Sequence, residues 1–419
     1  MLKQVANLKL RVAKRLRILG PGLITGAADD DPSGIATYSQ AGAQFGYTLL
    51  WTVVFTLPLM AAIQLISARI GLVTGQGLAA NIKAWFPRPV LLAVVVMLLV
   101  ANTLNISADI AAMAEALRLV LGGSAEVYAI TFGLVSLVMQ VFLPYQTYVQ
   151  WLKWLTLALL AYAAVIFTID VDWMRVARDL LWPRPVRSHE VLLTIVAVFG
   201  TTISPYLFFW QAGQEVEDVN AGRAGRGGGA AYSPRELRRQ LRRTRIDTII
   251  GMTFSNLIAF FIILSTAATL HQAGIRDIET SAQAAEALRP LAGDLTFVLF
   301  SMGIIGTGLL AVPVLAGSAA YAVAEAAGWR GSLSLRLDRG EGREFYAVIA
   351  AATLGGVVLS FTPTDPVREL FWSAVINGVI AVPIMAVMMR LATNRTAMAG
   401  HTLSARLQWL GWLATAVMA

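Results

Sequence analysis

The chain of 419 residues contains no cysteine, which excludes disulfides and every metal site built on thiolates. Histidine is nearly absent: His189, His271 and His401 all fall in predicted loops without the spacing of a zinc ligand set. Charge is scarce as well. Asp, Glu, Lys and Arg make up 14% of residues, against roughly 25% in soluble domains, and no long soluble stretch interrupts the apolar runs. A Gly-x-x-x-x-Gly-Lys-Ser/Thr phosphate loop is missing, and no nucleophile, base and orienting acid fall at one depth. A primary pump or an enzyme therefore has no motif to rest on, and no resident cofactor is expected. The basic start, Lys3 to Arg17, lacks a following cleavable signal pattern because the helix after it is polar and broken.

What fills the chain instead is hydrocarbon. Apolar residues make up 57% and mean hydropathy is +0.65. Runs of about 20 apolar residues, enough to span a hydrocarbon core about 30 Å thick, recur from Leu19 to the end. The segmentation predicts an all-α polytopic membrane protein with eleven crossings, at 19–46, 48–70, 90–121, 126–144, 148–170, 190–218, 246–270, 294–326, 343–363, 367–393 and 404–419. A basic cytoplasmic tail over 1–18 would precede a single transmembrane domain over 19–419. With the N-terminus inside, most of the 33 Lys and Arg fall in the tail and in loops on the cytoplasmic side, as the positive-inside rule requires. This places the chain in a plasma membrane, the inner membrane if the cell is bacterial. The segment from Asn220 to Arg245 reads as a loop, Gly-rich and then carrying Arg235, Arg238, Arg239, Arg242, Arg243 and Arg245. Next to crossings, such a run anchors topology at lipid headgroups, so the +8 net charge points to the bilayer as partner and not to nucleic acid. No obligate protein partner is evident.

Two helix-breaking runs stand out, Asp31-Pro32-Ser33-Gly34 and Ile203-Ser204-Pro205-Tyr206, each inside a predicted crossing. Backbone groups freed at membrane depth are tolerated only where they line a cavity or bind something. An isolated proline in a membrane helix is more often a kink, but these two occupy the same place in two halves of the chain. Crossings one to five (19–170) and six to ten (190–393) each start with a broken helix, and an odd number of crossings per half inserts the second half upside down. An inverted 5+5 repeat with an extra helix over 404–419 follows, and paired breaks in such repeats mark the binding site of secondary transporters.

The chemistry at the breaks favours a cation. Pro32 has no N–H and pushes Asp31 out of helical geometry, so the carbonyls before it, Ala28 among them, lose their partners and become ligands. Ser33 and Gly34 permit extended backbone there, and the Asp31 carboxylate adds charge that an ion or a proton must balance at this depth. Asp29 and Asp30 compete with Asp31 for the same direction; Asp30 is a second candidate ligand, and both acids could instead draw cations along an approach path. In the second break Pro205 frees the carbonyls of Thr201 and Thr202, and the hydroxyls of Ser204 and Tyr206 lie at or near the gap. All are oxygen donors. Further along, Gln214 to Asp218 is acidic and either releases ions to the cytoplasm or pairs with the neighbouring arginines. Asn377 in the tenth crossing is either an extra oxygen ligand or a helix–helix hydrogen bonder.

These residues resemble a known family. Gly20-Pro21-Gly22, the Asp-Pro run followed by Ala36-Thr37, and Val73-Thr74-Gly75 are similar to the Nramp divalent-metal transporters, which carry Asp-Pro-Gly-Asn in the first break and Met-Pro-His in the sixth helix. The resemblance runs along essentially the whole chain and implies eleven helices in a fold of the leucine-transporter type. It also implies a metal site in which the family's aspartate falls on Asp31, its asparagine on Gly34, its backbone-carbonyl alanine on Thr201, its methionine on Ser204 and its histidine on Tyr206. Only Asp31 matches by identity. Losing the thioether removes the family's means of favouring soft transition metals, and the smaller Gly34 and Ser204 would widen the pocket for a hydrated ion. Oxygen-only ligands suit Mg²⁺, with Mn²⁺ also accepted, so the chain resembles most closely the Nramp-related magnesium transporters. The histidine's replacement by a phenol, a group that titrates at about 10, argues against strong proton coupling. For an acid on the family's proton route, Asp109 and Glu115 are alternatives. The expected function is thus alternating-access transport of a divalent cation. Other readings are a proton-coupled Mn²⁺/Fe²⁺ importer, a Na⁺-coupled organic-solute symporter on the same fold, and a non-transporting sensor.

Overall fold

The computed structural model describes residues 25, 26, 28–143, 152, 156–182, 188–224, 233–335, 337, 340–362 and 364–419. The basic tail, the Gly20-Pro21-Gly22 motif and the first part of the fifth predicted crossing (148–151 and 153–155) lie outside them. Among the described residues the fold is helical throughout, without strands. The main helices are α1 (Pro32–Phe45), α2 (Leu50–Thr74), α3 (Arg88–Leu121), α4 (Ala125–Phe142), α5 (His189–Thr202), α6 (Pro205–Ala224), α7 (Pro234–Thr266), α8 (Thr296–Ala327), α9 (Arg343–Leu359), α10 (Pro366–Thr393) and α11 (Ala405–Met418). Among the described residues seven helical stretches are long and apolar enough to cross a membrane, α1 and α2 counting as one. The α9 and α11 helices, at 17 and 14 residues, are shorter.

Local chemistry explains the boundaries. Ser124, Ser188 and Ser404 cap the starts of α4, α5 and α11, each accepting a hydrogen bond from an amide of the first turn. Between α1 and α2 the chain turns at Gly46, whose φ of 59° lies in the left-handed region and whose missing side chain leaves room for the His271 ring. His271 itself closes a π-helical turn after α7, where the sequence suggested a loop. The arginine run also corrects the sequence reading: Arg235 to Arg245 is the start of α7. Ser233 and Glu236 form a reciprocal capping box with Pro234 at the first position, and Arg, Leu and Gln are good helix formers. The arginines line the exposed face of this extension, while Leu237 and Thr244 are buried.

Prolines sort into two kinds. Pro58, Pro313 and Pro383 sit inside continuous helices, whereas Pro32 and Pro205 each begin one. Around the broken helices, packing is close and reciprocal. Gly42 of α1 meets Ile263 and Thr266 of α7 with no room for a side chain, and Gly71 of α2 meets the backbone of Ala212 in α6 in the same way. Exchanging first for sixth and second for seventh crossing turns one contact into the other, as an inverted repeat demands. At the periphery α4 exposes Val127, Ile130, Leu134, Val138 and Phe142, an apolar strip suited to lipid.

Candidate metal site

The two breaks meet. The helix ending at residue 29 resumes at Pro32 after Asp30 and Asp31; Asp31, extended at φ −70° and ψ 170°, is the N-cap of α1. Its Oδ1 accepts hydrogen bonds from Ser33 Oγ at 2.6 Å and from the Gly34 amide at 2.8 Å, so the carboxylate sits at the positive end of the α1 dipole. The other oxygen, Oδ2, accepts from Asn105 Nδ2 at 3.0 Å. Across the gap, Ser33 Oγ lies 3.4 Å from Thr201 Oγ1, Tyr206 donates its hydroxyl to the Ala28 carbonyl at 2.9 Å, and Tyr38 OH lies 3.0 Å from Thr202 Oγ1. Asp31, Ala28, Gly34, Thr201, Ser204 and Tyr206 are all buried within this arrangement.

Electrostatically the site is spare. The Asp31 carboxylate is 1% exposed and held by neutral donors; among the described residues no three acidic or imidazole groups come together as a metal cluster. A buried carboxylate balanced only by hydrogen bonds is expensive unless a cation or a proton joins it. Oxygen donors surround it, and neither sulfur nor imidazole is among them.

The remaining sequence candidates separate cleanly. Asp30 turns away from Asp31's partners: Ser255 of α7 donates to Asp29 Oδ2 at 2.6 Å and lies 3.0 Å from Asp30 Oδ1. Both acids are buried, so they do not line an approach path in this conformation. Asp109 joins the site through Asn105, whose Nδ2 reaches Asp109 Oδ2 at 3.2 Å. Glu115, its rival in the sequence, forms a two-pronged ion pair with Arg118 at 2.8 Å on both bonds, facing outward. Asn377 donates to Asn105 Oδ1 at 3.1 Å, a helix–helix bond that leaves its own Oδ1 buried without a partner. The widening expected at Gly34 and Ser204 is not realised in this conformation. A Cβ at Gly34 would lie 3.2 Å from Thr201 Oγ1 and 3.3 Å from the Tyr38 ring, and Ser204 folds its hydroxyl back to 2.8 Å from the Gly200 carbonyl and 2.9 Å from that of Thr201. At the acidic end of α6 the residues divide: Asp218 lies beside Arg243, one of the pairings that the sequence allowed, whereas the two glutamates find neutral partners. Glu217 accepts from the Tyr321 hydroxyl and from the Leu333 amide, and Glu215 from Gln211 and Thr244.

Asn105 is the residue that sequence reasoning missed. It joins Asp31, Asp109 and Asn377. A signal existed: Asn102, Asn105 and Asp109 recur on one face of an otherwise apolar helix, a pattern reserved in membranes for function or helix pairing. On one side of the breaks a cavity of about 320 Å³ is lined by Gln40, His189, Glu190, Asp277 and Arg368, with Ala36 and Thr194 at the α1 and α5 walls. Neither partner of the Tyr38–Thr202 and Ser33–Thr201 contacts is among the residues lining it.

Comparison with known proteins places this geometry. The family described as natural resistance-associated macrophage protein-like matches residues 22–419. The chain belongs to the Nramp family. Two curated relatives of this Nramp chain are each named divalent metal cation transporter MntH. That of Pectobacterium carotovorum is 28% identical over 300 residues, covering 70% of this chain and 69% of the relative. That of Aeromonas hydrophila is 26% identical over 307 residues, covering 70% of each. Among solved structures, the Eremococcus coleocola manganese transporter superposes with a TM-score of 0.76 at 16% identity, over 96% of this chain and 84% of its own. Mhp1, a nucleobase-cation-symport-1 family transporter, superposes with a TM-score of 0.58 at 14% identity, over 95% and 85%. These likenesses establish the fold: a helical transporter architecture with its first and sixth crossings broken.

Proposed function

We propose that this Nramp chain moves divalent metal cations across the membrane by alternating access, with Mg²⁺ as its main cargo and Mn²⁺ accepted, and without obligatory proton coupling. The observation that carries the reading is the donor set: one buried carboxylate, Asp31, among hydroxyl and carbonyl oxygens from both breaks. Mg²⁺ binds oxygen, keeps several waters and is often held by one or two carboxylates, whereas selection of softer metals relies on thioether, thiolate or imidazole. The names of the curated relatives support divalent cations as the cargo class. Tyr206 in place of an imidazole supports weak coupling, since a phenol bound to the Ala28 carbonyl is a poor proton carrier near neutral pH.

A second reading is a proton-coupled Mn²⁺ importer. It is favoured by Asp109, a buried acid joined to Asp31 through Asn105, and by the manganese transporter among the structural neighbours. Uptake of Mg²⁺ and of Mn²⁺ into proteoliposomes, with a lumenal pH dye, separates the two. The first reading expects saturable Mg²⁺ entry with an unchanged lumenal pH. Mn²⁺ entry without Mg²⁺ entry, accompanied by lumenal acidification, would replace it with the second.

A further inference from the structure

A second buried polar line runs from the helix before the first break, and the transport reading makes no use of it. Thr25 Oγ1 donates to Gln211 Oε1 at 2.6 Å, Gln211 Nε2 donates to Glu215 Oε1 at 3.0 Å, and Thr244 Oγ1 donates to Glu215 Oε2 at 3.3 Å. Three elements contribute: the segment before the first break, α6 and α7. All four residues are buried, Glu215 to 3% exposure. Its carboxylate is held by these neutral donors, Asp218 and Asp247 add negative charge around it, and Arg243 faces Asp218.

An independent observation comes from α7. Thr244 meets Glu215, Gly251 meets the backbone of Gly26, and Ser255 meets Asp29 and Asp30, so these residues define the helix face turned toward the first break and α6. Thr248 belongs to that face by its spacing. It is fully buried, and its hydroxyl has no hydrogen-bond partner. Its enclosed, unpaired hydroxyl thus lies one helical turn from Thr244, which holds the Glu215 carboxylate, on the face turned toward Thr25 and Gln211.

We infer that Glu215 anchors a second cation station, between the Asp31 site and the cytoplasmic end of α6, that takes a hard divalent ion; this rests on the transport reading above. Its donors would be the Glu215 carboxylate, the hydroxyls of Thr25, Thr244 and Thr248, and the amide oxygen of Gln211. That oxygen now faces Thr25, while the amide nitrogen faces Glu215; rotating the amide half a turn presents the oxygen to an ion beside Glu215. The set is oxygen only, as at Asp31. An ion leaving Asp31 passes to another carboxylate instead of directly to water, and a chain of weak sites lets cargo leave faster than one strong site.

The number of bound ions tests this. Mn²⁺ alone, titrated into purified full-length protein in nanodiscs and followed by electron paramagnetic resonance, is expected to load two ions per native chain. Asp31→Ala and Glu215→Gln should each load one and the double variant none. Thr248→Val, a milder change, should weaken the ion retained by Asp31→Ala by at least about tenfold. The ion retained at Asp31 certifies that Glu215→Gln is folded; if that variant binds nothing, the Thr248→Val comparison decides. A single ion on the native chain, two on Glu215→Gln, or no weakening by Thr248→Val overturns the inner station and leaves the transport reading standing. A native chain that binds no Mn²⁺ overturns both.

Discussion

Pro32 and Pro205 both begin a resumed helix, yet the residue before each acts in the opposite direction. Asp31 reaches forward, its carboxylate capping the amide end of α1. Ser204 reaches back, its hydroxyl meeting the carbonyls that end α5. One break therefore holds a negative charge at a positive helix end, and the other holds a neutral donor at a negative helix end. The pairing sets one carboxylate, Asp31, against the neutral hydroxyls of the second break. The difference between the halves teaches that symmetry of backbone does not bring symmetry of role.

That contrast can be broken at several points. Replacing the charged side has the largest expected effect: Asp31→Ala should lower Mg²⁺ and Mn²⁺ uptake in proteoliposomes at least about 100-fold, whereas Ser204→Ala should stay within about tenfold of native. Equal losses would erase the distinction between the breaks. Next comes the residue that ties Asp31 to Asp109. Asn105→Leu keeps the branched shape but strips a donor from two buried carboxylates, and should destabilise the protein by about 2 kcal/mol, read as a lower midpoint in thermal unfolding. An unchanged midpoint would mean that Asp31 needs no help from α3. A smaller effect is expected on selectivity. Ser204→Met introduces a thioether at the second break and should shift competition between Mn²⁺ and Mg²⁺ about tenfold toward Mn²⁺; no shift would remove selectivity from that break's duties. The smallest change is expected for Tyr206→Phe, which frees the Ala28 carbonyl at about 1 kcal/mol. Uptake should fall by a few-fold at most, and abolished uptake would show the phenol itself to be a ligand.

Much of this is legible in the sequence. The breaks, their partnership and the position of most helices followed from apolar run length and from prolines at matching places, because a membrane punishes unsatisfied backbone so heavily that exceptions are conspicuous. Three things were not legible. The arginines of α7 look like a loop by polarity, and only the Ser233 and Glu236 capping box reveals the helix they begin. The directions of Asp29, Asp30 and Asp31 depend on which neighbour offers a donor, and Ser255 lies 226 residues from Asp29. Asn105 joins Asp109, one turn along its own helix, to Asp31 and Asn377, 74 and 272 residues away; polar spacing on α3 marks the face, but the two remote partners are not encoded locally. Position along the chain reports where backbone must be broken; long-range contacts decide what each side chain does there.

If Asp31 holds the cargo as proposed, the hydrogen bonds it already accepts limit how tightly it does so. An arriving ion must displace or loosen donors from Ser33, Gly34 and Asn105, and hydrogen bonds to a charged group contribute about 1.5–3 kcal/mol each. Every 1.4 kcal/mol surrendered weakens a dissociation constant about tenfold. On that reading, a carboxylate so well provided with donors would be a poor scavenger and a fast exchanger. Such a site would suit an ion that is plentiful outside the cell, for which saturation matters less than the number of passages per second.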